Sequence, residues 1–126
     1  MTEWHDPDLP GIDRPLFYGR DGKPMTVAAY GASRSEQDVH VADTYIGEYW
    51  VSTVWLGTDH SFGSGPPLIF ETMIFVRTEG DTRVGAEGFD GWMDRYATEA
   101  AALAGHDQAC AMVRADLASR DRQGEA

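Results

Sequence analysis

The sequence predicts an α+β domain, an antiparallel sheet of three to four strands with a long C-terminal helix packed on one face. Three observations carry this. Large apolar residues in the middle of the chain alternate with period two, the period changes to steps of three and four after Thr98, and the strands all precede that helix, with no alternation of strands and helices. The 126 residues suit one hydrophobic core, so we divide the chain into an arm over 1–15, a single domain over 16–120 and a frayed tail over 121–126.

In order, the arm is rich in proline and aspartate, with Trp4, Leu9 and Ile12 at no regular period, and reads as extended. Leu16-Phe17-Tyr18 is followed by Asp21-Gly22, a turn signal that suggests a small hairpin. Thr26 can cap a helix through Val27 and Tyr30, which Gly31 and Ser33-Arg34-Ser35 should keep short. Val39, Val41 and Tyr45 share one parity of the next strand. Beyond Gly47, a second strand puts Trp50, Val54 and Leu56 on one face and Tyr49, Val51 and Trp55 on the other, the two strands forming a hairpin. The third strand, 68–77, assigns Leu68, Phe70, Thr72, Ile74 and Val76 to the core and Glu71, Met73, Phe75 and Arg77 to the opposite face. Glycines and charges make 78–88 a loop, and 89–96 alternates through Trp92 and Tyr96 as an edge strand. Thr98 caps the final helix, Glu99 suits its positive end, and Arg120 and Arg122 suit the negative end of a helix running to about residue 119. Its sheet-facing stripe is Leu103, His106, Cys110, Val113 and Leu117, with Ala100, Ala104 and Ala109 allowing close approach.

Charge narrows the function. Against 21 acidic residues stand ten basic ones, a net charge of −11, so the field of the protein repels nucleic acid and anionic membrane and would steer it toward basic partners, although such an acidic balance is more commonly a solubility device alone. No apolar run approaches the ~20 residues of a membrane crossing, and the first six residues lack the basic start of a signal peptide, so a cytoplasmic protein is expected. Cys110, the lone cysteine, has no internal disulfide partner and reads as a small buried hydrophobe.

The best site candidate is the long 57–67 loop between two strands. Asp59 and His60 there could ligate a metal or pair as base and orienter, with Glu71 adding a carboxylate, but adjacent Asp and His more commonly shape a loop through local hydrogen bonds. The other histidines, His5, His40 and His106, fall on an arm, a strand and a helix with no zinc-site spacing, and His106 reads as a satisfied core or boundary histidine. Gly63-Ser64-Gly65 is neither a nucleophile elbow nor a phosphate cradle, and Glu79, Asp81, Glu87 and Asp90 do not follow a calcium-loop pattern. Tyr45, Tyr49, Trp50, Trp55, Phe75 and Trp92 are more numerous than one helix on one sheet face can cover, which calls for an intrachain cover or an interaction surface.

Val51-Ser52-Thr53-Val54-Trp55-Leu56-Gly57-Thr58-Asp59-His60, then Gly65-Pro66-Pro67-Leu68-Ile69-Phe70-Glu71-Thr72-Met73, Tyr96-Ala97-Thr98 and Ala102-Leu103-Ala104-Gly105-His106, resemble a family of small uncharacterised proteins of actinobacteria and their phages. The likeness spans about 48–114, and the 78–88 loop looks longer than the link usual there. The resemblance implies a phage or prophage setting and carries over no catalytic residue.

The function expected is thus a small non-enzymatic binding or assembly protein, a virion component or an accessory factor, working through a protein partner or self-association, with no direct nucleic acid, membrane, cofactor or metal. Candidate binding residues are Asp59, His60, Phe62 and Glu71 of the loop region, with Trp50 and Trp55 of the sheet. The alternative is a metal-assisted hydrolase using Asp59, His60 and Glu71.

Overall fold

Two alternating runs meet at the tight turn Gly47-Glu48, where Ile46 pairs with Tyr49 and φ of Gly47 is +58°. From this hairpin the sheet grows outward in the computed structural model, which describes residues 4–12, 14–36, 39–60, 65–78, 81–84, 89 and 92–124. Strands β1 (Phe17–Tyr18) and β2 (Pro24–Met25) form a separate small hairpin, followed by α1 (Val27–Glu36). The main sheet holds β3 (His40–Ile46), β4 (Tyr49–Trp55), β5 (Phe70–Thr78), β6 (Asp81–Val84) and β7 (Met93–Tyr96), and α2 (Glu99–Gly124) closes the chain. The order is β3-β4-β5-β6, all antiparallel, and β7 pairs with the Phe70–Met73 half of β5 while β6 pairs with its Phe75–Thr78 half. The fold is α+β, with the long C-terminal helix on one sheet face.

The helix-covered face is a series of cross-strand rows. Tyr49 lies beside Val76, Val51 beside Ile74, Thr53 beside Thr72, and Trp55 beside Phe70. All eight are buried. From α2, Ala102, Gly105, His106, Ala109, Cys110 and Val113 close over them. Two apolar clusters result, one around Tyr49, Val51, Ile74, Val76, Phe89 and Val113, the other around Trp55, Ile69, Phe70 and Ala102. Each large side chain buried this way stabilises by about 1.5–3 kcal/mol.

The expected stripe on α2 is displaced at its start, since Leu103 is 43% exposed and Ala102 takes the inward position. The reason lies at Gly105: a Cβ there would collide with the Tyr96 ring and hydroxyl, so the helix sits too close to the sheet for a leucine to face it. Ala109 allows close approach as expected, whereas Ala100 and Ala104 face solvent. At the far end the helix continues past 119, because Arg120 reaches Glu48 and Asp116, each at 3.0 Å, and stacks over the Tyr49 ring. At its start, Thr98 Oγ1 accepts from Ala101 N at 3.1 Å, the cap that the sequence indicates.

Other expectations shift for local reasons. Residues 6–12 are not extended but make successive turns, Leu9 N donating to Asp6 O and Ile12 N to Leu9 O. The anchor of the arm is Asp6, 1% exposed, whose carboxylate accepts from Asp8 N at 3.0 Å and from Val27 N at 2.7 Å. Helix α1 has this second cap in addition to Thr26 and runs ten residues, through Gly31 and Ser33-Arg34-Ser35, which were expected to keep it short. Arg34 holds its later turns by donating to Trp55 O and Leu56 O at 2.8 and 3.0 Å. A register shift between His40 and Ala42 breaks the common parity of β3: Val39 and Val41 pack beside the Trp55 cluster while Tyr45 turns to the opposite face. The segment expected as a loop over 78–88 contains β6, and the last sheet strand is only Met93–Tyr96, just after Trp92, whose N donates to Phe89 O. No helix among the described residues is long and apolar enough to cross a membrane.

Candidate functional site

The 57–67 loop begins as a continuation of the β4–β5 ladder. Leu56 N donates to Ile69 O at 2.7 Å, and His60 N donates to Leu68 O at 3.0 Å. Leu68 N returns a hydrogen bond to the Asp59 carboxylate at 3.0 Å, and the His60 ring lies 2.9 Å from Thr58 Oγ1. Gly57 sets the path: its φ is +79°, and any Cβ there would strike the Tyr30 ring, which donates its hydroxyl to Leu56 O. Phe62 lies outside the described residues. Glu71 is on the sheet face away from α2, where Arg95 donates to its carboxylate at 3.1 Å, and its side chain is 13% exposed. Asp59 and His60 are therefore engaged in the stem of the loop and Glu71 in a cross-strand ion pair. Among the described residues no three of His, Cys, Asp or Glu converge as metal ligands.

This geometry sets an expected result. Asp59→Ala or His60→Ala should cost at most ~1 to 2 kcal/mol through lost loop hydrogen bonds, with no effect of a chelator on the melting temperature. A larger chelator-sensitive shift in the wild type, absent from His60→Ala, would place a metal at the loop.

Trp50 and Trp55 separate completely. Trp55 is 1% exposed, edge-on to Tyr30, with its indole nitrogen donating to Tyr18 O at 2.9 Å, so it belongs to the core and offers no contact surface. Trp50 is on the face that α2 leaves open. There Tyr45, Trp50 and Phe75 are register neighbours on β3, β4 and β5 and stack in sequence, Tyr45 on Trp50 at 5.9 Å and Trp50 on Phe75 at 4.9 Å between ring centroids. The next row on this face is Asp43, Ser52, Met73 and Met93, and the one after it contains His40, Val54, Glu71 and Arg95. Tyr45 is 57% and Met93 41% exposed. Asp43 borders the aromatic row: one carboxylate oxygen accepts from the Trp50 indole at 2.8 Å, and the other lies 3.1 Å from His40 Nδ1.

Between the two apolar clusters runs a polar seam that residue-by-residue inspection of the sequence does not assemble. His106 Nδ1 lies 2.8 Å from Thr53 Oγ1 and Nε2 2.8 Å from Thr44 Oγ1, and Thr53 and Thr72 hydroxyls are 2.5 Å apart. A neutral imidazole satisfies this seam by donating through one nitrogen and accepting through the other. The ring is the satisfied core histidine of the sequence analysis, 4% exposed, and burial lowers its pKa below the ordinary 6.5 against opposing pulls from Asp107 and Asp43. Threonines at paired positions of adjacent core-facing strands were the available signal for this partner set.

The lowered pKa has a direction in pH. The unfolded chain takes up the proton first as pH falls below 6.5, so the His106 contribution is complete above that value and is lost progressively down to the folded pKa. Equilibrium unfolding between pH 7 and 5 should show this decline, and His106→Gln should flatten it.

Two cavities lie near the small hairpin. One of about 400 Å³ is lined by Arg20, Lys23, Ser33 and Trp55, and Arg20 is held by Glu99 at 2.7 Å. The other, about 410 Å³, lies between Arg14, Phe17, Thr58 and Asp59.

Comparison with protein-family models, with curated proteins and with solved structures finds no match to this chain. Its function therefore rests on the residues themselves.

Proposed function

We propose that the chain is a small non-enzymatic binding protein, of the phage-related kind that its central motifs resemble, and that it docks a protein partner through the sheet face opposite α2. One observation carries this: three aromatic rings from three adjacent strands form a continuous row on that face, ending in Tyr45 at 57% exposure. Contiguous aromatic surface of this kind is characteristic of recognition, since rigid rings bury large area at low entropic cost. The metal-assisted hydrolase has no comparable support, because Asp59, His60 and Glu71 are already committed to loop and strand contacts.

A photo-cross-linking residue at position 45, introduced into the chain in its native host, should form a discrete adduct with one protein, and the same probe at Ala101 on the exposed side of α2 should not. Mass spectrometry of the adduct would then give the partner. Cross-linking at position 60 with none at 45 would move recognition to the loop and contradict the proposal.

A further inference from the structure

We infer that the first two turns of α2, residues 99–106, are an acid-released latch: neutral His106 holds them on the sheet, and its protonation lets them open while the rest of the helix stays docked. The inference is independent of the docking face proposed above.

The two halves of α2 are anchored unequally. In residues 99–106 the buried positions are Ala102, Gly105 and His106, so the imidazole is the one buried side chain there larger than a methyl. The helix adds only Ala102 to the cluster of Trp55, Ile69 and Phe70. Glu99 pairs with Arg20 at 2.7 Å, but both side chains are about one third exposed, where an ion pair contributes little. Beyond His106 the anchors are larger. Ala109, Cys110 and Val113 are buried in the other cluster, Met112 and Leu117 pack against it, and Arg120 lies over the Tyr49 ring and pairs with Glu48. A helix held in this way opens first at the end with the least buried apolar surface.

At that end the imidazole is the main fastening, and its surroundings suit the neutral ring. On β3 and β4 its partners are the hydroxyls of Thr44 and Thr53, and on β5 Thr72 backs Thr53. Hydroxyls can accept from both N–H groups of an imidazolium, but they bring no countercharge to the buried ring. The carboxylates that act on it are more remote in placement: Asp107 on α2 points to solvent, and Asp43 on β3 lies on the opposite sheet face, where it meets Trp50 and His40. On β7, Tyr96 packs at Gly105 with Asp94 and Thr72 at its hydroxyl, and burial keeps this phenol protonated. Burial of the ring outweighs the pull of Asp107 and Asp43, so the proton is taken up more readily once the turns have opened and the ring meets water. The open form therefore gains on the closed one as pH falls below 6.5, by at most about tenfold per pH unit, until the pKa of the closed form is reached. Opening uncovers the threonine seam and the Trp55–Phe70 end of the sheet.

Amide hydrogen exchange of the full-length protein, labelled with nitrogen-15 and followed over low denaturant concentrations at pH 7 and pH 5.5, tests the latch. After correction for the intrinsic effect of pH on exchange, protection at 102–106 should fall about fivefold between these values. Its dependence on denaturant should be slight, unlike that of the amides of 50–54, which exchange through global unfolding. His106→Gln, which retains a hydrogen-bonding side chain without a titrating ring, should remove the fall. Equal protection and equal denaturant slope at 102–106 and 50–54 would show that these turns open only with the whole fold, which overturns the latch. So would unchanged protection at 102–106 at pH 5.5, or a fall that persists in His106→Gln. The ring signals of His106 in the wild-type protein give a second reading that needs no variant: a midpoint below 6.5 accompanying the loss of protection supports the latch, and a midpoint at or above 6.5 overturns it.

Discussion

Trp55→Ala should cost about 3–5 kcal/mol of unfolding free energy, the largest loss expected from any single tryptophan of the chain. The ring is 1% exposed, packs between Phe70 and the residues of α1, and donates to Tyr18 O, so its removal leaves a cavity together with an unpaired carbonyl. The effect should extend to the β1–β2 hairpin and α1, which join the main sheet at this ring: Arg34 and Tyr30 both bond to the backbone at 55–56. Denaturant unfolding followed by far-ultraviolet circular dichroism checks the size, and amide exchange at 17–30 checks the spread.

Gly105→Ala should destabilise, against the usual direction of such a change in a helix. Intrinsic propensity alone would favour alanine by about 1 kcal/mol. Here the added methyl would occupy the position of the Tyr96 hydroxyl and ring, a buried contact that also borders the threonine seam through Thr72, so overpacking of about 1–3 kcal/mol should prevail. Combining Gly105→Ala with Tyr96→Val should recover part of the loss in a double-mutant cycle, since space for the methyl is then available. Simple additivity of the two changes would show that Tyr96 is not the obstacle.

The strands that bury most are those most legible in the sequence. In β4 and β5 nearly every second residue is large and apolar, and a one-residue slip would expose Trp55 and Ile74, so period two by itself fixes which side chains meet α2. The open face followed from the same alternation, because Trp50 and Phe75 had to lie opposite Tyr49 and Ile74. What stayed hidden depends on partners far away in the chain. The register shift at His40–Ala42 carries no glycine or proline to mark it, and it sends Tyr45 to the face opposite Val41. Strand β6 forms from a segment with one apolar residue, Val84, after Asp81, Thr82 and Arg83, because β5 offers an edge to pair with, a reason outside its own sequence. Leu103 looked like the first residue of the buried stripe, yet the closeness of Tyr96 to Gly105 decides that Ala102 faces inward. At the site, Asp59 and His60 were legible as loop-shaping residues, while Trp50 and Trp55, alike in sequence and opposite in parity, differ completely in role once α2 takes one side.

Equilibrium unfolding of Trp50→Ala tests the central claim most directly, namely that the Tyr45–Trp50–Phe75 row is surface kept for a partner and not a second core. Among the described residues Trp50 stacks on Tyr45 and on Phe75 and donates one hydrogen bond to Asp43. Their removal should lower stability by about 1–2 kcal/mol, with an unchanged denaturant slope and an intact fold. A loss of about 3–5 kcal/mol, equal to that of Trp55→Ala, would mean that Trp50 is packed as a core residue and would contradict the claim.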